Sequence, residues 1–571
     1  MVKKPAPKQT KLDLPPNLPV HIVGIRSRGQ TYFYARRSAW VNGSSKVVWS
    51  LSLGTARDIV AKYQQPESSL DHLKLRTFEF GKAAALHTVA KELGFFEAVD
   101  LAVGQEATTH LTTAQVMFAV IAGRAHGPYS KSGTGRWYGH TFLNPMWAGA
   151  EGLGCQTFLD HMDRLTPQAV DDISLALGKR LVELGVSPTA IFWDLTNFST
   201  CMDQWDEDAL VRPGNAKDKR FDKNIFGLGV AASDDAIPLV SATVPGNAAD
   251  ATVFKQAIHK IADRLRELSV EVEKMVLVMD RGNNSPGNIG TVLDMMHLIG
   301  GLRKSEAADL MEVPLSEFRF LYKTNHDGRM SGHRTKRTVH GREMVVIVTH
   351  NTATEKRQRR TWEKSRRKIE AGMKDLAIRY ARKEGPGRKM TLRGLTREIH
   401  DLVPRQYRAA VDFDVDQANR LLTWRFDAKK EEAMRRGFGK SVLFTDLADW
   451  KTEKIVKTYH RKWVLEEDFK WMHQKILLPV TPVFHHADSE QRIRVHVFLC
   501  VVGMVFMRYL TRKLALKGVS PREIWDELGR LRVILAKDKR TGKARFVVEE
   551  MTAVQAQVFE RLGFARYLAS G

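Results

Sequence analysis

Apolar residues change their spacing several times along this 571-residue chain, and each change predicts a different kind of element. From His21 to Leu53 apolar and polar residues alternate, with breaks at Ser27-Arg28-Gly29 and Asn42-Gly43. That period of two predicts strands, and residues 31–34 and 47–51 on either side of Asn42-Gly43 read as a hairpin. Between Phe78 and Val186 the spacing lengthens to that of helices, at 83–93, 113–121, 154–165 and 168–184. Residues 129–138, with two glycines among cations and aromatics, read as a small loop. Short apolar runs follow at 190–193, 225–232, 237–244 and 275–279, the middle two forming a hairpin around Ser233-Asp234-Asp235. Continuous apolar runs of this length suit strands covered on both faces. Residues 251–268 predict a helix with the stripe Val253, Ala257, Ile258, Ile261 and Leu265, and Asp250 is placed as its N-cap. Further strands are predicted at 318–322, 344–348 and 441–445, and helices at 355–384, 459–473, 492–510, 521–531 and 553–562. A last hairpin is predicted around 539–542.

These elements group into an arm at 1–19, a small β unit at 20–76, a mainly helical domain at 77–186, an α/β core at 187–304 and 441–515, an inserted α+β subdomain at 305–440, and a C-terminal region at 516–571. The 185 residues between the second predicted core aspartate and the core glutamate motivate the insertion.

Two aspartates close two of the buried runs. Asp194 follows 190–193 and Asp280 follows 275–279. Carboxylates at the exposed ends of such strands are where open α/β sheets place their sites, although either one alone also suits a turn or a helix cap. The third carboxylate is Glu466 on helix 459–473. At about 100° per residue, Tyr459, Lys462, Glu466 and His473 fall on one face, Lys470 joins them, and Glu467 lies a full step round. Two strand-end aspartates and a helical glutamate make a donor set for two-metal phosphoryl transfer. Hard divalent ions take carboxylate oxygens, and two of them about 4 Å apart can hold both the attacking and the leaving oxygen.

At these residues the chain resembles the DDE transposases of bacterial insertion sequences, the group with a ribonuclease H-like catalytic domain. The matching pieces are Trp193-Asp194-Leu195-Thr196, the stretch from Pro245 through Asn247 to Asp250, Met279-Asp280-Arg281-Gly282 and the Tyr459 helix. In that family the helix carries Tyr, then Arg, Glu and Lys at fixed steps. Tyr459, Trp463 and Glu466 match, Lys462 stands for the Arg and His473 for the Lys. The resemblance runs from about residue 20 onward. It implies a ribonuclease H-like mixed sheet in which Asp194, Asp280 and Glu466 are catalytic and bind two Mg²⁺ or Mn²⁺ ions per active site. It also implies that Tyr459, Lys462, Lys470 and His473 hold DNA near the cut, and that a homo-oligomer bridges two element ends.

Charge adds a partner to this picture. The net charge of +24 and the pI near 9.8 call for a polyanion, and double-stranded DNA, as element ends and as target, is the expected one. From 355 to 400 there are sixteen Lys/Arg against six Asp/Glu, which makes Arg357, Arg359, Arg366 and Arg367 candidate DNA contacts. For the β unit two readings stay open: Arg26, Arg28, Arg36 and Arg37 touch DNA, or the sheet is a packing platform. His485, His486, Arg492, Arg494 and His496 are weaker candidates for DNA or metal. No apolar run approaches the roughly 18–20 residues of a membrane span, residues 1–18 lack the apolar centre of a signal peptide, and Cys155, Cys201 and Cys500 form no disulfide or zinc pattern. A cytoplasmic, nucleoid-associated enzyme without membrane partners is expected. Two alternatives keep part of this reading: a host-adopted or structure-directed nuclease of the same fold, and a non-catalytic basic DNA-binding protein.

Overall fold

The computed structural model describes residues 19–41, 43–64, 72–104, 111–127, 129–147, 153–202, 209–217, 222–248, 250–324, 328–382, 390–473, 478, 480 and 490–568. The expected arm (but for Pro19) and the histidines His485 and His486 lie outside the described residues. The chain divides into two compact units, one of residues 1–76 with 535–546, the other of 77–534 with 547–570.

In the first unit β1 (His21–Ser27), β2 (Gln30–Val41) and β3 (Ser44–Thr55) form an antiparallel sheet in that order, followed by α1 (Ala56–Gln64). Thr55 and Asp58 start that helix: Thr55 donates its amide and hydroxyl protons to Asp58 Oδ2, both at 2.8 Å.

The second unit opens with helices, among them Gly81–Glu92, Phe95–Val103, Thr113–His126, Cys155–Asp163 and Pro167–Glu183. Thr113–His126 is buried nearly all round and starts in a Thr112–Gln115 capping box. The stretch expected as a loop contains the helix Lys131–Tyr138 instead. Ser130 caps it, accepting from the Gly133 amide at 3.1 Å, and burial of Trp137 and Tyr138 outweighs the poor helix propensity of its glycines.

The centre is one ten-stranded mixed sheet. Its strands are β4 (Ala190–Thr200), β5 (Arg212–Pro213), β6 (Asn224–Ser233), β7 (Pro238–Pro245), β8 (Val276–Met279), β9 (His297–Leu302), β10 (Arg319–Thr324), β11 (Gly328–Val339), β12 (Arg342–Asn351) and β13 (Lys440–Thr445). The order is β10-β11-β12-β13-β9-β8-β4-β6-β5, with β7 also paired to β6. Only β9, β8 and β4 run parallel to one another, and every other pairing is antiparallel. α2 (Asp250–Glu267) connects β7 towards β8; Asp250 is its first residue rather than the residue before it.

Two sequence-based expectations change here. The strand through residues 190–193 does not end at Asp194 but continues to Thr200, because β6 goes on pairing with it after the parallel partner β8 has stopped. Strands 318–322 and 344–348 do not build a separate inserted sheet. Val345–His350 pair with Ser441, Val442 and their neighbours, so β10–β12 extend the core sheet. The rest of the insertion has its own core. In it α3 (Thr352–Ala381) packs Trp362, Ile369, Met373 and Tyr380 against Leu395, Ile399, Tyr407 and Leu422.

Among the described residues, one helix is long and apolar enough to cross a bilayer: Glu490–Leu514, with 83% of its most apolar window buried in the fold. Its apolar middle is core, as the run at Val497–Met507 predicts.

His87, in the first helix of this unit, is buried with Nδ1 2.7 Å from the Tyr567 hydroxyl, and burial pushes its pKa down to about 3. In the unfolded chain a histidine takes its proton near pH 6.5. This contribution to stability is therefore complete above pH 6.5 and is lost as pH falls towards 3, by about 1.4 kcal/mol per pH unit. His87→Gln is expected to be less stable at pH 7 and to show a shallower loss between pH 6 and 5 in urea unfolding. Equal slopes for the two proteins would clear His87 as the source.

Candidate active site

The parallel register sets two of the three carboxylates side by side. Ala190, Ile191 and Phe192 of β4 lie opposite Val276, Leu277 and Val278 of β8. Asp194 and Asp280 each lie two residues past the last of these pairs, Asp280 just beyond the end of β8. Trp193 is buried just before Asp194, and it needs Gly229 on β6: a β-carbon there would stand 2.3 Å from the indole ring. After Asp280 the chain turns through Arg281–Asn283, and Asn284 donates to the Gly301 carbonyl of β9 at 2.5 Å.

The third carboxylate arrives on a helix that is not continuous. Residues 459–473 were expected as one helix, but the structure has α4 (Thr452–Arg461) and α5 (Trp463–His473), meeting at Lys462. The ladder tightens there, with the Lys462 amide donating to Tyr459 at 3.3 Å and Leu465 to Lys462 at 3.1 Å, both three residues back. The tightening accompanies a side chain that turns inward. The Lys462 ammonium is 3.2 Å from Asp280 Oδ1 and 3.5 Å from Glu466 Oε1, and its side chain is only 6% exposed, against 51% for Asp280 and 58% for Glu466.

Lys462 is thus the hub of the cluster. Burial acts against its charge, but Asp194, then Asp280, then Glu466 attract it and hold its pKa above the ordinary lysine value. The carboxylates respond unequally. Burial pushes Asp194 up, against the pull of Lys462 and Lys217. Burial also raises Asp280, but Lys462 and the Arg281 amide outweigh it and hold this carboxyl below the usual range. Two carboxyls shifted in opposite directions beside one ammonium, the more buried one upward, mark a candidate functional site.

The other predicted residues are placed as follows. Tyr459 is part-buried, and its hydroxyl lies so close to β9 that a β-carbon at Gly301 would sit 2.5 Å from it. His473 is drawn to β4: its Nε2 is 2.8 Å from Thr196 Oγ1, and its ring stacks on Phe198 at 4.5 Å. Lys470 is exposed. Glu467 interacts with Asp468 rather than with Lys462. On α3, Arg359 is paired with Glu355 at 2.7 Å, and Arg366 stacks on Phe426 at 4.4 Å with Glu431 3.7 Å away. Arg357 and Arg367 are exposed. Arg357 lines an open groove of about 760 Å³ together with Tyr322, Lys323, His460 and Trp463, which brings the start of α3 to the junction of α4 and α5.

Sequence reasoning missed Lys217, which donates to the Leu195 carbonyl at 2.6 Å and acts on Asp194. It comes from a loop without periodicity, and no spacing ties it to Asp194. Sequence reasoning also missed the support under α5. Asp468, two residues past Glu466, is buried and takes both nitrogens of Arg508 from helix Glu490–Leu514, with Nε at 3.0 Å. Arg508 also donates to the Val464 carbonyl at 3.3 Å. Burial pushes Asp468 up to about 6 in spite of Arg508.

Among the described residues, no three His, Cys, Asp or Glu side chains stand close enough as they are to hold a metal ion. The donor chemistry nevertheless fits one. Asp194, Asp280 and Glu466 offer only hard oxygens, and an ammonium already occupies a cation position between two of them. Comparison of the chain with models of protein families and with curated proteins found no match.

The Asp468–Arg508 pair is expected to set the position of α5. Asp468→Ala leaves a buried guanidinium without its anion and is expected to cost roughly 3–5 kcal/mol in urea unfolding. A cost within 1 kcal/mol would show that α5 is held by its apolar contacts alone.

Proposed function

We propose that this chain is a DNA transposase of the DDE type, with a ribonuclease H-like core, which cuts DNA at element ends and joins those ends to target DNA. One observation carries the reading: three carboxylates from distant parts of the sequence, two on or just past adjacent parallel strands and one on a helix, act on a single buried ammonium. The element order supports it. A strand bearing the first aspartate is followed by antiparallel strands, a helix, and a parallel strand ending at the second aspartate.

Asp194, Asp280 and Glu466 would hold Mg²⁺ or Mn²⁺, two ions per site, which supply activation of a water or 3′-hydroxyl and stabilisation of the leaving oxygen. The chain's own groups do the rest. Lys462 keeps the carboxylates together and screens their mutual repulsion, a different role from the phosphate contact expected for it. Lys470, which is exposed, meets the backbone phosphates beside the cut, while Lys217 is held on the Leu195 carbonyl next to Asp194. His473 joins α5, the helix that carries Glu466, to β4 through Thr196 and Phe198. The partners are duplex DNA and a second copy of the chain.

Asp194→Asn, Asp280→Asn and Glu466→Gln each remove one anionic donor with little change of shape. Each is expected to abolish nicking of a supercoiled plasmid in Mg²⁺ or Mn²⁺ while duplex binding stays within about twofold, since ordinary phosphate contacts are untouched. Wild-type nicking by any of the three would remove that residue from the site.

The α3 arginines divide by their partners. Arg357→Glu with Arg367→Glu is expected to flatten the salt dependence of duplex binding, because fewer counterions are released. Arg359→Ser is expected to change it little, its charge being engaged by Glu355. An unchanged slope in the double variant would mean that α3 is only a solvated helix.

A further inference from the structure

The β unit at the start of the chain has no role in the site described above, and its surface is unusual for a sheet. β1 is exposed at every one of its seven positions, and most of β3 is exposed as well. Residues directly opposite one another on paired strands share a face, and so do residues two apart. Ile22 pairs with Ala35, Ala35 with Leu51, Arg37 with Trp49 and Ala39 with Lys46. One face therefore carries Ile22, Leu51 and Trp49 beside Arg37 and Lys46, and these three apolar side chains are 67%, 51% and 42% exposed. A face this apolar on so small a sheet calls for a cover.

Charge identifies the cover. From His21 to Thr55 there are five Lys/Arg and no Asp or Glu, while the nearest acid, Asp58, is engaged by Thr55. A polyanion with apolar groups on its surface fits this face, and duplex DNA, with thymine methyls among the base edges of its major groove, is one. The shape agrees. β1 pairs only with 30–36 of β2, so from Arg37 onward β2 and β3 continue as a two-stranded ribbon. Two strands about 4.8 Å apart pass into a major groove about 12 Å wide. The register shift between Arg37 and Ser38 adds the right-handed twist that lets a ribbon follow a groove. Arg37 lies over the Trp49 ring at 5.9 Å, which presents its guanidinium as an oriented fork.

We propose that this face of the β2–β3 ribbon reads duplex DNA in the major groove, with Arg37 on a guanine edge, Trp49 and Leu51 on thymine methyls and Lys46 on a phosphate. The proposal rests on the reading of the chain as an enzyme acting on DNA and adds the surface that gives it sequence preference.

The test uses the full-length protein and a pool of random-sequence duplexes, with selection followed by anisotropy titration of the winners. Wild type is expected to select a short consensus containing guanine. Arg37→Ser is expected to relax that position and weaken binding about tenfold. Lys46→Ser is expected to lower the salt slope by about one without changing the consensus. Unfolding midpoints equal to wild type show that neither change unfolds the sheet. Selection of the wild-type consensus by Arg37→Ser, at wild-type affinity, would overturn the proposal. So would a change of sedimenting mass in Trp49→Ala with DNA binding intact, which would assign the face to a second copy of the chain. Failure of the wild type to bind any duplex is a different result, since it removes the transposase reading itself.

Discussion

A buried ammonium needs anions around it, and in this protein that need draws the candidate site together. Lys462 lies at the junction of two helices with almost no solvent to stabilise its charge. Desolvation would expel its proton, and only the combined field of Asp194, Asp280 and Glu466 reverses that. The dependence runs both ways. Three carboxylates confined near one another repel, and the ammonium offsets the repulsion. The local tightening of the helix at Lys462 belongs to the same balance, since it turns this side chain into the cluster.

Around that hub the fold supplies rigidity in two layers. Above it, the parallel pairing of β4 with β8 ends two residues before each aspartate, and the antiparallel continuation of β4 along β6 keeps Asp194 inside a hydrogen-bonded strand. Below it, α5 is tied to β4 by His473 and to helix Glu490–Leu514 by the Asp468–Arg508 pair. Such a pair is costly to bury and more costly to break, so it favours one position of the helix over others. Glu466 is exposed enough to meet a ligand, yet it is carried by a helix whose opposite side cannot shift freely.

The positive charge is divided among surfaces with different jobs. Some arginines of α3 are spent on their own acids or on Phe426, and others are open to solvent. The three strands of the small β unit, from His21 to Thr55, carry no acid, and the next one along, Asp58, is engaged at the start of α1. A net charge of +24 therefore says little until each cation's neighbours are known.

Much of this was legible in the sequence, because the signals are local. Short buried runs mark β4, β6, β7 and β8, period-two alternation marks the β unit, and the position of each core carboxylate follows from where its run ends or which helix face it occupies. The angular count on 459–473 also separated Glu466 from Glu467. Tertiary structure decided what depends on partners distant in the chain. It extended β4 past Asp194 because β6 continues to pair with it, and it drew 318–322 and 344–348 into the core sheet because β13 was free to receive them. It made Lys131–Tyr138 a helix through burial, and it set the Lys462 ammonium between Asp280 and Glu466. A pattern along the chain records which face of an element is apolar. It does not record which charge will lie within 4 Å, because that is settled only when strands and helices from opposite ends of the chain compete for the same buried space.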